Sequence, residues 1–168
     1  HRYGYQLAVD EATGLLLRSV LVGEGDKPLE RFQFVTLEVG VSADPVELMP
    51  EALPPDAPVA ARVAEAPRWQ PGWLPPGFAL VSRRAPAFAG DREVDAHVYS
   101  DGLAVFSLFV EPAGPRAVAV RGLQGATVAF SRQLAGREGE FLVTLVGEIP
   151  PATAEVILSR MQPGEAAP

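Results

Sequence analysis

The first forty residues alternate between apolar and polar side chains in the manner of a β-sheet. Every second position from Tyr3 to Val9 is apolar, which is the period of a half-buried strand. A turn-forming run follows at residues 10–14, and the next stretch, 15–22, is apolar at nearly every position. A third strand is predicted over residues 29–39. Residues 1–40 therefore predict a three-stranded antiparallel meander.

The middle of the chain has the composition of a linker. Nine of the 17 prolines fall between residues 41 and 76. Proline removes a backbone donor and disfavours helix at the preceding residue, so this stretch is expected to be extended or turn-like. We expect a semi-rigid spacer over residues 41–72 that lets the flanking domains move independently.

The second half again has the pattern of antiparallel strands. Residues 94–99 and 103–111 flank Ser100-Asp101-Gly102, and an Asp-Gly pair between two β-rich runs predicts a hairpin. The other predicted elements are a strand over 79–83, a strand pair over 124–133 and 140–147 around a mobile loop, and a helix over 152–161.

The predicted fold class is α+β, mostly antiparallel β. Its divisions are an incomplete three-stranded unit (1–40), the Pro-rich linker (41–72), a C-terminal antiparallel sheet with one helix (73–163) and a tail (164–168).

Composition and charge narrow the function classes. With 48% hydrophobic and 21% charged residues and a mean hydropathy of +0.12, the chain has enough apolar material for a core. Fourteen basic against 21 acidic side chains give −7, and Lys27 is the only lysine, which argues against nucleic acid as a partner. The absence of cysteine excludes disulfides and thiol catalysis.

Candidate chemistry is sparse. His97 is the only imidazole in a predicted element, and neither Ser107 nor Ser131 lies in a nucleophile elbow. The adjacent carboxylates fall in predicted loops, and neither the clustered ligand spacing of a metal site nor a glycine-rich phosphate cradle is present. We therefore expect no catalytic residue, metal or cofactor, although folding can assemble a site that no motif announces.

Aromatic and arginine side chains concentrate at the start of the C-terminal domain. Tryptophan and arginine are typical anchors of protein interfaces, so Trp69, Arg83 and Arg84 are the predicted partner-binding residues. Trp73 and Phe78 are instead expected to pin the linker to the core.

The sequence also bears on the chain's context. No apolar run reaches the roughly 18 residues of a membrane span, and the start at His1 is neither a Met nor a signal sequence. We expect this chain to be a piece of a longer protein.

Several runs of the N-terminal part resemble the end of the N-terminal domain of the MucB/RseB family. The matching runs are Arg2–Asp10, Thr13–Ser19 and Glu30–Val35. The C-terminal half resembles that family's C-terminal domain more fully and in the family's order. Its matching runs are Trp73–Phe78, Tyr99–Ala104, Gly125-Ala126, Val146–Pro150 and Thr153-Ala154.

This resemblance implies a periplasmic, non-enzymatic negative regulator of the envelope stress response. Such a regulator binds the periplasmic segment of a transmembrane anti-sigma factor and protects it from regulated proteolysis. The family's N-terminal domain resembles the lipoprotein carriers LolA and LolB, whose fold is an incomplete β-barrel around apolar space. The resemblance therefore implies that residues 1–40 are a three-stranded remnant of such a barrel, and it makes lipopolysaccharide or lipoprotein acyl chains further candidate partners. The alternative is a periplasmic lipid or lipoprotein carrier or sensor of the LolA type. A homo-oligomer is left open.

Overall fold

The structure is a computed structural model. It describes residues 1–40, 68–89, 92–115, 117–137 and 139–164. The predicted linker lies outside the described residues except at its C-terminal end, and so does most of the predicted tail.

The N-terminal meander is confirmed. Its strands are β1 (Gly4–Val9), β2 (Leu16–Val22) and β3 (Pro28–Gln33), hydrogen-bonded in the order β1-β2-β3. The predicted third strand, 29–39, is too long, because the last backbone hydrogen bond between the second and third strands runs from Phe34 N to Leu17 O. Strand β2 starts at Leu16, one residue before Leu17, so it does not extend far enough to pair with the residues after Phe34.

One region of this small sheet is apolar and exposed. The exposed apolar side chains include Leu7, Val9, Leu15, Leu16, Phe32, Phe34, Val35, Leu37 and Val39. A sheet of three short strands cannot bury both of its faces by itself. Within the described part of the chain, this region has no cover.

The C-terminal domain is built on a six-stranded antiparallel sheet. Its order is β5-β6-β7-β10-β9-β8. The strands are β5 (Ala79–Ala89), β6 (Arg92–Ser100), β7 (Val105–Pro112), β8 (Arg121–Gln124), β9 (Thr127–Gly136) and β10 (Gly139–Gly147). A two-stranded sheet of β4 (Trp69–Pro71) and β11 (Met161–Pro163) flanks the helix α1 (Pro151–Ser159).

The predicted hairpin at Asp101-Gly102 is confirmed, and hydrogen bonds between neighbouring residues stabilise its turn. Asp101 Oδ1 accepts hydrogen bonds from the backbone N–H groups of Leu103 and Ala104, at 3.0 and 2.8 Å. Gly102 has φ +90, which a glycine adopts without steric cost. The turn therefore sets the register between β6 and β7.

Three sequence predictions in this domain need correction. The predicted mobile loop before β10 is wrong, because β9 continues to Gly136 and pairs with Gly139 across a tight turn. The sequence predicts a single strand over 124–133, whereas Gly125, with φ +59, lies in a turn that separates β8 from β9. The predicted linker extended to residue 72, yet residues 69–71 are the strand β4.

The main core lies between the helix and the six-stranded sheet. Helix α1 has Pro151 at its first turn, where a missing N–H costs nothing, and it buries Ala154, Ile157 and Leu158. Facing it are the inward side chains of the central strands, among them Phe106, Leu108, Val128, Val143 and Leu145. Phe78 joins this core and Trp73 packs against it, as predicted.

The N-terminal sheet contacts the C-terminal domain. Arg2 forms an ion pair with Asp101 at 2.8 Å, and the Tyr5 hydroxyl donates to Leu103 O at 3.2 Å. Tyr3 and Leu21 pack against Ala126 in a second small core. These contacts join the two sheets in this structure, and their independent motion stays a prediction.

Strand β10 packs closely on β7 at Gly147. A Cβ at this position would lie 2.6 Å from Val105 O and closer still to Phe106, so backbone atoms would have to move. We expect Gly147→Ala to lower the free energy of unfolding by about 2 kcal/mol, since overpacking of a dense interior forces shifts. Gly122→Ala is the matched control, because its Cβ would only approach Ala129 O at 3.8 Å. Equal urea-unfolding energies for the two variants would contradict the prediction.

Candidate functional site

The three predicted partner-binding residues do not form one exposed cluster. Trp69 is buried in the core, with its ring edge-on to Phe141 at a centroid distance of 6.2 Å. Arg83 lies opposite His97 in the β5–β6 register. Arg84 is placed in the backbone of β5, opposite Ala96, and its side chain lies outside the described part. The structure thus gives Trp69 a packing role, and partner contact stays a prediction for all three.

The Arg83 side chain belongs to a buried polar cluster. Its Nη2 lies 3.4 Å from Asp95 Oδ2, and His97 Nε2 lies 2.9 Å from Asp95 Oδ1. Asp95 and His97 are 2% and 1% exposed. The His97–Asp95 approach has ion-pair distance without hydrogen-bond geometry. Alternation along β6 places Asp95, His97 and Tyr99 on the same inward face.

The ionisation of this cluster follows from its surroundings. Burial acts to raise the pKa of Asp95, but His97 and then Arg83 outweigh it, so the pKa lies below the ordinary value for an aspartate. Burial, with the Asp95 charge added to it, raises the pKa of Tyr99 to about 12. Asp95 is therefore a carboxylate near neutral pH, balanced by the guanidinium of Arg83.

The cluster does not contain a nucleophile in position for catalysis. Ser107 lies opposite Val98, so it belongs to the other face of the sheet from His97. The Oγ of Ser131 accepts a hydrogen bond from Val120 N, at the far side of the sheet. Within the described ranges, Asp95 and His97 are therefore buried neighbours with no serine hydroxyl placed beside them.

A groove runs between the edge strand β8 and the helix. It has a volume of about 350 Å³, and Phe130 and Leu158 contribute apolar surface to it. Arg121 lies over the Phe130 ring, 4.7 Å from the centroid, and pairs with Glu155 of α1. Four of the side chains that line this groove are apolar and three are charged; the apolar ones are Ala119, Val120, Phe130 and Leu158.

A second cleft of about 390 Å³ lies where the N-terminal sheet meets the C-terminal domain. Tyr3 and Leu29 line one side, and Leu123 and Pro151 line the other. Glu155 borders both this cleft and the groove beside β8. The two depressions therefore meet along the face of α1.

No three His, Asp or Glu side chains gather as a metal site within the described ranges. None of the helices in that part of the chain is long and apolar enough to cross a membrane.

Sequence reasoning missed both the acidic partner of Arg83 and the edge strand. Asp95 has no local motif, because its partner is 12 residues away on another strand. Strand β8 did carry a signal: Gly125-Ala126 is a two-residue turn between β-rich runs. Reading residues 124–133 as one strand concealed it.

Comparisons with protein families match the chain in two parts. The MucB/RseB N-terminal domain matches residues 1–55, and the MucB/RseB C-terminal domain matches residues 63–162. Among curated relatives, "Sigma factor AlgU regulatory protein MucB" of Pseudomonas aeruginosa is 39% identical over 99% of this chain and 54% of its own length. "Sigma-E factor regulatory protein RseB" of Escherichia coli K12 is 30% identical over 98% of this chain and 52% of its own length.

Solved structures agree with these relatives. The crystal structure of MucB in complex with MucA(peri) superposes with a TM-score of 0.81 at 36% identity, covering 99% of this chain and 59% of that one. A crystal structure of MucB superposes with a TM-score of 0.63 at 37% identity, covering 97% of this chain and 54% of that one. The chain spans about half the length of the curated relatives it matches.

Proposed function

This chain belongs to the MucB/RseB family, and on that premise we propose that it is a non-enzymatic negative regulator of a sigma-factor-dependent envelope stress response. It binds the periplasmic segment of a transmembrane anti-sigma factor and protects that segment from regulated proteolysis. Its place of action is the periplasm.

One observation carries this proposal. The fold superposes, over 99% of the chain, on relatives solved in complex with MucA, with a TM-score of 0.81 in both complexes. The curated relatives carry the names of sigma factor regulatory proteins.

The direct test is binding followed by protection. The isolated periplasmic domain of the anti-sigma factor from the same organism is titrated into the 168-residue chain by calorimetry. The complex is then exposed to the protease that cleaves that domain. We expect saturable binding and slower cleavage. Cleavage at an unchanged rate in a saturated complex would contradict the protective role.

The second candidate function is a lipid or lipoprotein carrier or sensor. It is favoured by the exposed apolar residues of the N-terminal sheet, such as Phe32 and Phe34, whose rings meet edge-on at 5.1 Å. Contiguous apolar surface of this kind is typical of binding sites. Recovery of lipopolysaccharide or acyl chains with the full-length protein, without anti-sigma binding, would favour this alternative.

Arg84 is the first of the predicted arginine anchors to test, because Arg83 also pairs with the buried Asp95. We expect Arg84→Ala to weaken anti-sigma binding about thirtyfold, which corresponds to ~2 kcal/mol for a lost interface arginine. The measurement is calorimetric affinity with a thermal melt of each variant. Arg83→Ala is the comparison, because its loss acts on folding through Asp95. An Arg84→Ala affinity equal to that of the unmodified chain would contradict this role of Arg84.

A further inference from the structure

Strand β8 forms one edge of the six-stranded sheet, and half of its backbone faces outward. Ser131 N donates to Val120 O at 2.8 Å, and Gly122 lies opposite Ala129. Hydrogen-bonded pairs alternate along an antiparallel ladder, so Gly122 bonds to β9. The N–H and C=O groups of Arg121 and Leu123 therefore point away from the sheet.

Exposed apolar side chains lie on this edge and on the segment that leads into it. Leu123 is 61% exposed, and Val118 and Val120 are more than half exposed. Native proteins commonly protect an open edge with charge, proline or a bulge, because unpaired backbone groups recruit other strands. Here the only charged side chain of β8 is Arg121, and it is drawn over Phe130 and towards Glu155.

The groove beside β8 would receive the side chains of an added strand. Alternate residues of such a strand point to the face that carries α1, where Phe130 and Leu158 supply apolar surface. Two guanidinium groups, Arg121 and Arg132, line this groove against one carboxylate, Glu155. The excess positive charge complements an acidic side chain on the incoming segment.

We propose that the β8 edge is a docking site for an extended segment of the anti-sigma periplasmic domain, which adds as a seventh strand. The segment carries apolar residues at alternate positions and a carboxylate that meets Arg121 or Arg132. This inference rests on the proposed function and names its site. Strand addition combines backbone hydrogen bonds for affinity with side-chain pockets for specificity.

A second copy of this chain is the weaker occupant. β8 has four residues, and two of them, Arg121 and Leu123, offer outward hydrogen bonds. Pairing two such edges buries far less than the roughly 1,200 Å² of a stable protein interface. An extended segment of the anti-sigma factor can bury more area than a second β8 edge, because its neighbouring residues can also lie in the groove along α1.

Amide hydrogen exchange tests strand addition directly. The probe is the isolated periplasmic domain of the anti-sigma factor from the same organism, added to the 168-residue chain. We expect the amides of Arg121 and Leu123 to exchange rapidly in the free chain and at least tenfold more slowly in the complex. The Gly122 amide is the internal control, because it is already bonded to β9 and changes little.

Substitutions at Leu123 separate the edge from the surrounding surface. In Leu123→Pro the lost N–H is an outward one, so the hydrogen bonds to β9 remain. We expect at least tenfold weaker binding, with a thermal melt to confirm folding. The second variant, Leu123→Lys, places a charge on the edge. Its matched control is Leu103→Lys, on the hairpin before β7, because Leu103 is exposed to a similar degree, 57%. Only the change at Leu123 should weaken binding.

The outcomes distinguish this site from the function on which it rests. Tight binding with unchanged exchange at Arg121 and Leu123 overturns the site and leaves the proposed function standing. No binding overturns both. Protection that appears without the anti-sigma domain and grows with chain concentration assigns the edge to a second copy and overturns the proposal.

Discussion

Replacing Phe106 by alanine is expected to lower the free energy of unfolding of the C-terminal domain by about 3–5 kcal/mol. Phe106 is 1% exposed at the centre of the core. Its ring stacks on Tyr99 at a centroid distance of 5.0 Å and meets Phe78 at 5.5 Å. The truncation removes both aromatic contacts and leaves a cavity that the sheet cannot close, because β7 is held on both sides by β6 and β10. Urea denaturation followed by tryptophan fluorescence measures the loss.

The matched control lies on the same strand. Phe109 is the same residue type, belongs to the opposite face of β7 and is 36% exposed. Phe109→Ala is expected to cost under about 1.5 kcal/mol, since much of its surface already contacts water. If both variants lose the same stability, the core is not centred on the inward face of β7.

Replacing Asp95 by alanine is expected to cost about 3–5 kcal/mol at neutral pH, because it leaves the Arg83 charge and the buried His97 without their carboxylate. The effect depends on pH in a defined direction. The pKa of Asp95 is lowered in the folded chain, so its stabilisation is complete above the unfolded value of about 3.9 and is lost as the pH falls through the folded pKa. The difference between the two proteins should therefore narrow in acid.

A surface ion pair provides the comparison for Asp95. Glu155 pairs with Arg121, but both side chains are largely exposed. Glu155→Ala is expected to cost less than about 1 kcal/mol, since solvent screens exposed pairs. Urea unfolding at pH 7 and pH 3 measures all three proteins. If Asp95→Ala lowers the free energy of unfolding by the same amount at pH 3 as at pH 7, the loss comes from packing rather than from the carboxylate charge.

Local patterns were sufficient where neighbouring residues decide the structure. The meander of residues 1–40, the hairpin at Asp101-Gly102 and the C-terminal helix each follow from period and turn chemistry within about ten residues. The family also follows from the sequence, because its motifs are short runs in a specific order. The length of the third strand did not follow, since it depends on where β2 begins.

The candidate site was harder to predict, because it depends on contacts between residues that are distant in the chain. Trp69 and Arg83 have the composition of interface anchors, but composition does not say which side chains find a partner inside the fold. Arg83 turns inward because the β5–β6 register brings Asp95 within reach. Trp69 is buried because β4 pairs with β11, more than ninety residues away in the chain.

The sequence by itself determined the antiparallel class, the turns, the helix and the family membership, all of which depend on residue order over short spans. Only the tertiary structure decided that β4 and β11 are strands at all, because runs of three residues become strands by pairing and not by propensity. It also decided that β8 lies at an edge with the N–H groups of Arg121 and Leu123 facing outward. That property belongs to the order of strands in the sheet, which pairing between distant residues establishes.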